Sequence, residues 1–145
     1  MLDIAAGHWR GTVKTWLDPN AEPASNDMTA TTSAVLGGKS VQIDYRSHVG
    51  ESRSDGLMIL GKDIRTGRLS LTWIDTFHTG SNVMNFAADE SGVLRGEYAA
   101  GDEMWRWRLV IHATAGELRI QHFNISPAGE EDRAIEAVLT PGARE

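Results

Sequence analysis

A carboxylate and an imidazole can act as general acid and base on a bound molecule when they converge within hydrogen-bond reach, directly or through one water. Asp75 and His122 are the residues whose setting raises that chemistry. Asp75 continues an apolar strand face made by Leu69, Leu71 and Trp73, and His122 continues one made by Leu118 and Ile120. Burying either group without a partner costs roughly 1 to 3 kcal/mol or more. Each therefore needs a hydrogen-bond partner, a water, a ligand or an exposed place at a rim. Tyr45 or His78 would assist the pair. The chain has no cysteine, which removes thiol nucleophiles and thiolate zinc sites, and its five histidines show no H-x-x-x-H ligand spacing. The residues name neither a cofactor nor a metal.

The elements that must position Asp75 and His122 are short alternating runs. Candidate strands cover roughly 8 to 17, 28 to 36, 39 to 48, 56 to 64, 68 to 78, 82 to 88, 92 to 99, 104 to 113, 117 to 125 and 131 to 139. Turn residues separate them: Gly37-Gly38, Arg65-Thr66-Gly67, Asp89-Glu90-Ser91-Gly92, Ala115-Gly116 and Pro127-Ala128-Gly129. Neighbouring strands then pair antiparallel in sequence order, and closure removes both exposed edges. The expectation is a single all-β domain over 1–145, a ten-stranded antiparallel up-and-down β-barrel. The proline-bearing stretch from Asp18 to Asp27 reads as a long loop over one mouth. A short helical turn ahead of Gly7 is expected to plug the other end.

Alternation assigns the inward faces. Val41, Ile43 and Tyr45 share one, as do Leu69, Leu71, Trp73, Asp75 and Phe77. So do Trp105, Trp107, Leu109 and Ile111, and Leu94, Gly96 and Tyr98; Met84 and Phe86 are the inward pair of their run. Aromatics on such faces usually fill a core. Ten strands enclose more space than eight, so Tyr45, Trp73, Phe86, Tyr98 and Trp107 are also candidate walls of a ligand space, with Asp75 and His122 as its polar groups. The functional expectation is a small-molecule binding barrel whose ligand is apolar with a polar handle. An enzyme using the Asp75 and His122 pair is the alternative. A third is a non-catalytic homodimer whose face includes exposed apolar residues such as Trp16, Met58 or Leu60.

Formal net charge is −6 and the fourteen basic residues are scattered, which argues against nucleic acid as a partner. No apolar stretch approaches the eighteen or so residues of a membrane span, and Met1 to Ala6 has neither the basic flank nor the apolar core of a signal peptide. A cytoplasmic location is the default expectation.

Gly7-His8-Trp9-Arg10-Gly11, Val35-Leu36-Gly37-Gly38-Lys39, Asp55-Gly56-Leu57-Met58-Ile59-Leu60-Gly61-Lys62-Asp63 and Thr72-Trp73-Ile74-Asp75 stand in this order along the chain. Together these runs resemble a bacterial family catalogued as a domain of unknown function, whose members resemble lipocalin-like (calycin-type) barrels. The similarity runs from about Gly7 to Leu139, and the Gly-x-Trp of the first strand resembles that of lipocalins and fatty-acid-binding proteins. The resemblance implies the barrel and carries no activity or catalytic residue. By analogy with ferric-haem barrels of the broad superfamily, it also raises haem binding with His122 as axial ligand. In calycins a basic residue near the end of the last strand covers the first-strand tryptophan. Here the residues beside Trp9 would be Leu139 to Pro141, none of them basic; Arg133 would lie at the wrong end, and Arg144 follows Pro141-Gly142.

Overall fold

The computed structural model describes residues 3–142. Its strands are β1 (Gly7–Thr15), β2 (Ala24–Val35), β3 (Ser40–Arg46), β4 (His48–Val49), β5 (Ser52–Arg53), β6 (Gly56–Lys62), β7 (Leu69–Asp75), β8 (Met84–Ala88), β9 (Leu94–Ala100), β10 (Glu103–Ala113), β11 (Leu118–Ile125) and β12 (Glu131–Pro141). Ten of them close a barrel in the order β1-β12-β11-β10-β9-β8-β7-β6-β3-β2, every ladder antiparallel, while β4 and β5 form a separate hairpin between β3 and β6. No helix is present among the described residues, and so none long and apolar enough to cross a membrane. Tight turns join consecutive strands where glycine adopts a left-handed φ, as at Gly67 (φ 70°) and Gly92 (φ 87°).

Strand alternation sends one set of side chains into a single core that includes Ile43, Leu71, Trp73, Leu109, Leu118 and Ile120. One barrel end carries the turns at 36–39, 63–68, 89–93 and 114–117. The other carries the 16–23 connection, the β4–β5 hairpin and the 76–83, 101–102 and 126–130 turns. Trp9 closes the first end. Its indole N–H donates to Thr32 Oγ1 at 2.9 Å, and the Thr32 hydroxyl donates to the Ala5 carbonyl at 2.6 Å.

Several expectations are corrected. Residues 3–6 form no helical turn: the Ala5 carbonyl is taken by Thr32, and the segment plugs its end simply by burying Ile4 in the core. The loop expected from Asp18 to Asp27 is shorter, because Ala24 to Asp27 pair with Thr12 to Thr15, and a ladder partner outweighs local turn preference. Phe77 is not on the inward face; β7 ends at Asp75 and the following turn leaves Phe77 exposed. Met58 and Leu60 are fully buried rather than part of an exposed face. Alternation is mute in that run because Leu57 to Leu60 are all apolar; pairing of Met58 with Ile43 and Trp73, and of Leu60 with Leu71, decides which two point in. Trp16 is half-buried.

Trp9 stands opposite Pro141, so no basic residue pairs with it across the closing ladder. Arg133 lies at the opposite end, its guanidinium 4.6 Å from the centre of the Trp16 ring. Arg144 lies outside the described residues.

Two irregularities interrupt the barrel wall. The β11–β12 register shifts between His122 and Phe123, leaving Ala134 as the extra residue of a bulge, whose carbonyl accepts from Trp16 N–H at 2.9 Å. The β8–β9 ladder runs only through Ala87–Arg95 and Ala88–Leu94, so the wall opens beyond it toward Met84 and Tyr98.

Candidate functional site

Asp75 ends β7 and begins the turn over 76–80. Its carboxylate Oδ1 accepts the backbone N–H groups of Phe77 (2.6 Å) and His78 (2.9 Å), while its carbonyl accepts those of Thr79 (3.2 Å) and Gly80 (2.9 Å). That is the local habit of an aspartate before a tight turn. Tertiary donors complete the shell. Ser54 Oγ, brought in by the β4–β5 hairpin, lies 3.1 and 3.0 Å from the two carboxylate oxygens, and the Tyr45 hydroxyl donates to Oδ2. Trp73 Nε1 in turn donates to Tyr45 Oη at 2.8 Å. Burial works against the Asp75 charge but is outweighed by the His78 side chain, the Tyr45 hydroxyl and the His78 backbone, which hold its carboxyl well below the usual carboxylate range. Burial, reinforced by Asp75, pushes the Tyr45 hydroxyl well above its ordinary value, so it remains a donor.

A glycine makes this reach possible. Tyr45 pairs with Gly56 and Gly56 with Asp75, so the phenol crosses the middle strand to reach the carboxylate. A Cβ on Gly56 would sit 2.2 Å from Tyr45 Oη. Gly56→Ala is therefore expected to displace the phenol and lower stability by roughly 2 to 3 kcal/mol, read by urea unfolding, with loss of near-ultraviolet tyrosine and tryptophan signal. A change below about 0.5 kcal/mol would show that the phenol does not depend on that gap.

His122 is buried from β11, directly beside the bulge. Its ring packs 4.5 Å from the Trp73 ring and edge-on to Trp107 at 5.8 Å. Neither ring nitrogen has a hydrogen-bond partner among the described residues. Burial, aided by nearby His78 and opposed by Asp75, pushes its pKa down to about 3, so the ring is neutral at physiological pH. His78 Nδ1 lies 3.3 Å from Asp75 Oδ1 but off the direction that a hydrogen bond needs, and its two nitrogens are likewise unpartnered.

Three spaces adjoin these groups, one of them an open groove of about 450 Å³ bordered by Asp44, Tyr45, Arg46, Asp55, Gly56 and Asp75 among others. A void of about 20 Å³, the size of one water molecule, lies inside the barrel. Polar Thr15, Ser47, Ser54, Tyr45, Asp75, His78 and His122 line it together with apolar Val13, Met28 and Ile135. A cleft of about 470 Å³ opens where β8 and β9 part, lined by Val83, Met84, Tyr98, Trp107, His78 and Asn82 among others. His78 belongs to the walls of both void and cleft.

A family model described as protein of unknown function (DUF1579) matches residues 1–140. The chain belongs to the DUF1579 family. No curated protein matches it.

The seven residues singled out from the DUF1579 sequence divide among these spaces. Tyr45, Asp75 and His122 line the void; Tyr98 and Trp107 line the cleft, with the Tyr98 hydroxyl donating to Asn124 Oδ1 at 2.8 Å. Trp73 and Phe86 line none of these spaces and are fully buried, their ring centres 6.4 Å apart. Asp75 and His122 share the void without bonding to each other. Ser54 and Ser47 carry no sequence signal of this role, since they flank short strands where no alternation marks a face; Thr15 shares the inward face of Trp9 and Val13 in β1, a face the alternation of that strand could have shown. Among the described residues, no group of three or more His, Cys, Asp or Glu could hold a metal ion.

This geometry bears on the chemistry available to the DUF1579 barrel. Asp75 accepts from four donors, and His122 has little basicity at neutral pH. General acid–base work favours a pKa near the operating pH, which neither group has. The arrangement is better suited to holding and orienting a polar group than to moving its proton.

Proposed function

We propose that this barrel binds a small apolar molecule carrying a polar handle, as a lipocalin-like carrier or sensor does. The observation that supports the reading is the cleft where β8 and β9 part. Its volume, about 470 Å³, falls in the range of small-molecule pockets, and Trp107, Tyr98, Met84 and Val83 give it apolar and aromatic walls. The space beside Asp75 and His122 inside the barrel is only water-sized, so the ligand's body belongs in the cleft rather than at the barrel centre. His78 and Asn82 stand at the cleft wall as polar groups for the handle.

Tryptophan fluorescence titrated with fatty acids, phenolics and haem tests this. Saturable quenching or a blue shift is expected for at least one class. Val83→Glu at the exposed mouth and Tyr98→Ala at the half-buried wall are each expected to weaken that affinity by roughly tenfold, about 1.4 kcal/mol, with Tm little changed for the first. Absence of saturable binding across the series up to ligand solubility would overturn the reading. Haem serves as a control: the His122 ring already packs on Trp73 and Trp107 beside a void too small for a macrocycle, so no histidine-ligated Soret band is expected.

A further inference from the structure

His122 and His78 present four ring nitrogens with no hydrogen-bond partner among the described residues, and the His78 side chain is only 12 % exposed. Buried polar groups are nearly always paired, so each of these asks for something that pairs it. Both rings border the same void, and its volume of about 20 Å³ limits the occupant there to a group with a single heavy atom.

The charges around the void select among such groups. Asp75 borders it as a carboxylate, so an anionic head group would be placed beside a fixed negative charge. An ammonium needs three acceptors. An ammonium also costs far more to desolvate than a hydroxyl, and Asp75, the carboxylate that would pair it, already receives Tyr45, Ser54 and two backbone N–H groups. A hydroxyl donates once and accepts up to twice, which matches one acceptor from one imidazole and one N–H from the other.

We infer that the ligand's polar handle is an uncharged hydroxyl, of an alcohol or a phenol, seated between His78 and His122 with the apolar body passing His78 into the cleft against Trp107 and Tyr98. The inference rests on the binding reading above and adds the head-group class. His78 is the partition between void and cleft, and it sits in the turn after β7 rather than in a strand, so its ring can turn aside without breaking a ladder.

The test is a titration at pH 7.5 with 1-decanol, decanoate and decylammonium, which share one chain and differ in head group, and with a 4-alkylphenol. Wild-type protein is expected to bind the alcohol and the phenol roughly tenfold or more tighter than the two ions. His122→Phe and His78→Phe are each expected to erase that preference by weakening the alcohol and the phenol toward the affinities of the two ions. Equal affinities for all head groups would overturn the hydroxyl inference and leave the binding reading standing; saturable binding of none would overturn both. Nitrogen-15 NMR of labelled histidines in the wild-type protein reads the contact without a variant. The His122 ring nitrogens should shift on adding 1-decanol and stay in place with decanoate, and an unmoved His122 under saturating alcohol would refute the assignment.

Discussion

Asp75→Ala is expected to lower the stability of the barrel by on the order of 4 kcal/mol, or roughly 15 °C in Tm for a chain of this size. Removing the carboxylate strips the acceptor from the Tyr45 hydroxyl, the Ser54 hydroxyl and the backbone N–H groups of Phe77 and His78, all close to a side chain that is only 2 % exposed. Each orphaned donor costs about 1 to 3 kcal/mol where water cannot reach it, and the two in the turn recover part of that by rehydration. Tyr45→Phe removes one donor and leaves Trp73 Nε1 without its acceptor, so a loss of about 1 to 2 kcal/mol is expected. The double variant should lose less than the sum, because the phenol's main partner is already gone in Asp75→Ala. Urea unfolding of the four proteins measures the cycle; a loss below about 1 kcal/mol for Asp75→Ala would mean that the cluster is solvated rather than buried.

The second large effect is on acid stability. His122 has a folded-state pKa of about 3 against 6.5 for a free imidazole. Below pH 6.5 the unfolded chain takes up a proton that the folded chain refuses, so folding weakens as pH falls. The slope for one such group is about 1.4 kcal/mol per pH unit, or roughly 2 kcal/mol between pH 6 and 4.5. The loss stops near pH 3, where the folded ring also protonates. Asp75 acts in the same direction but lower down: its folded-state pKa is depressed, so the stability that it contributes is present above its unfolded value of 3.8 and is lost as pH falls through the folded one. The titratable groups acting on His122 are His78 and Asp75, which oppose one another. Chemical denaturation at pH 7, 6, 5 and 4.5 should show this limb in the wild type and a flatter one in His122→Phe. Parallel limbs in the two proteins would assign the acid sensitivity to other groups.

Most of the barrel is legible in the sequence because period-two alternation and glycine turns report the same ten strands. β3, β7, β10 and β11 carry clean alternation, and it places their inward residues through Asp75 and His122. Alternation fails where a tertiary partner decides. β6 is apolar on both faces, β2 begins inside a stretch rich in turn formers, and the two-residue strands β4 and β5 are too short to show a period. The site is visible as two polar interruptions of apolar faces. Its geometry is not, because Ser54 arrives on that short hairpin and Gly56 matters only through the Tyr45 ring that lies across it. The lateral cleft is equally hidden, since nothing in the β8 and β9 runs marks where their ladder stops.

Since Thr15 of β1 pairs with Ile135 of β12, roughly 120 residues separate the two halves of the final seam. On a ribosome adding roughly 5 to 20 residues per second, β1 waits on the order of ten seconds for its second partner. The hairpins between can form locally in that time, and the entropic penalty for closing so long a span rises only slowly with length. Until then the sheet keeps two free edges, one on β1 and one on β11. Its exposure to edge-to-edge pairing with another chain, the usual route from β-sheet to aggregate, is concentrated in that interval and ends when β12 docks.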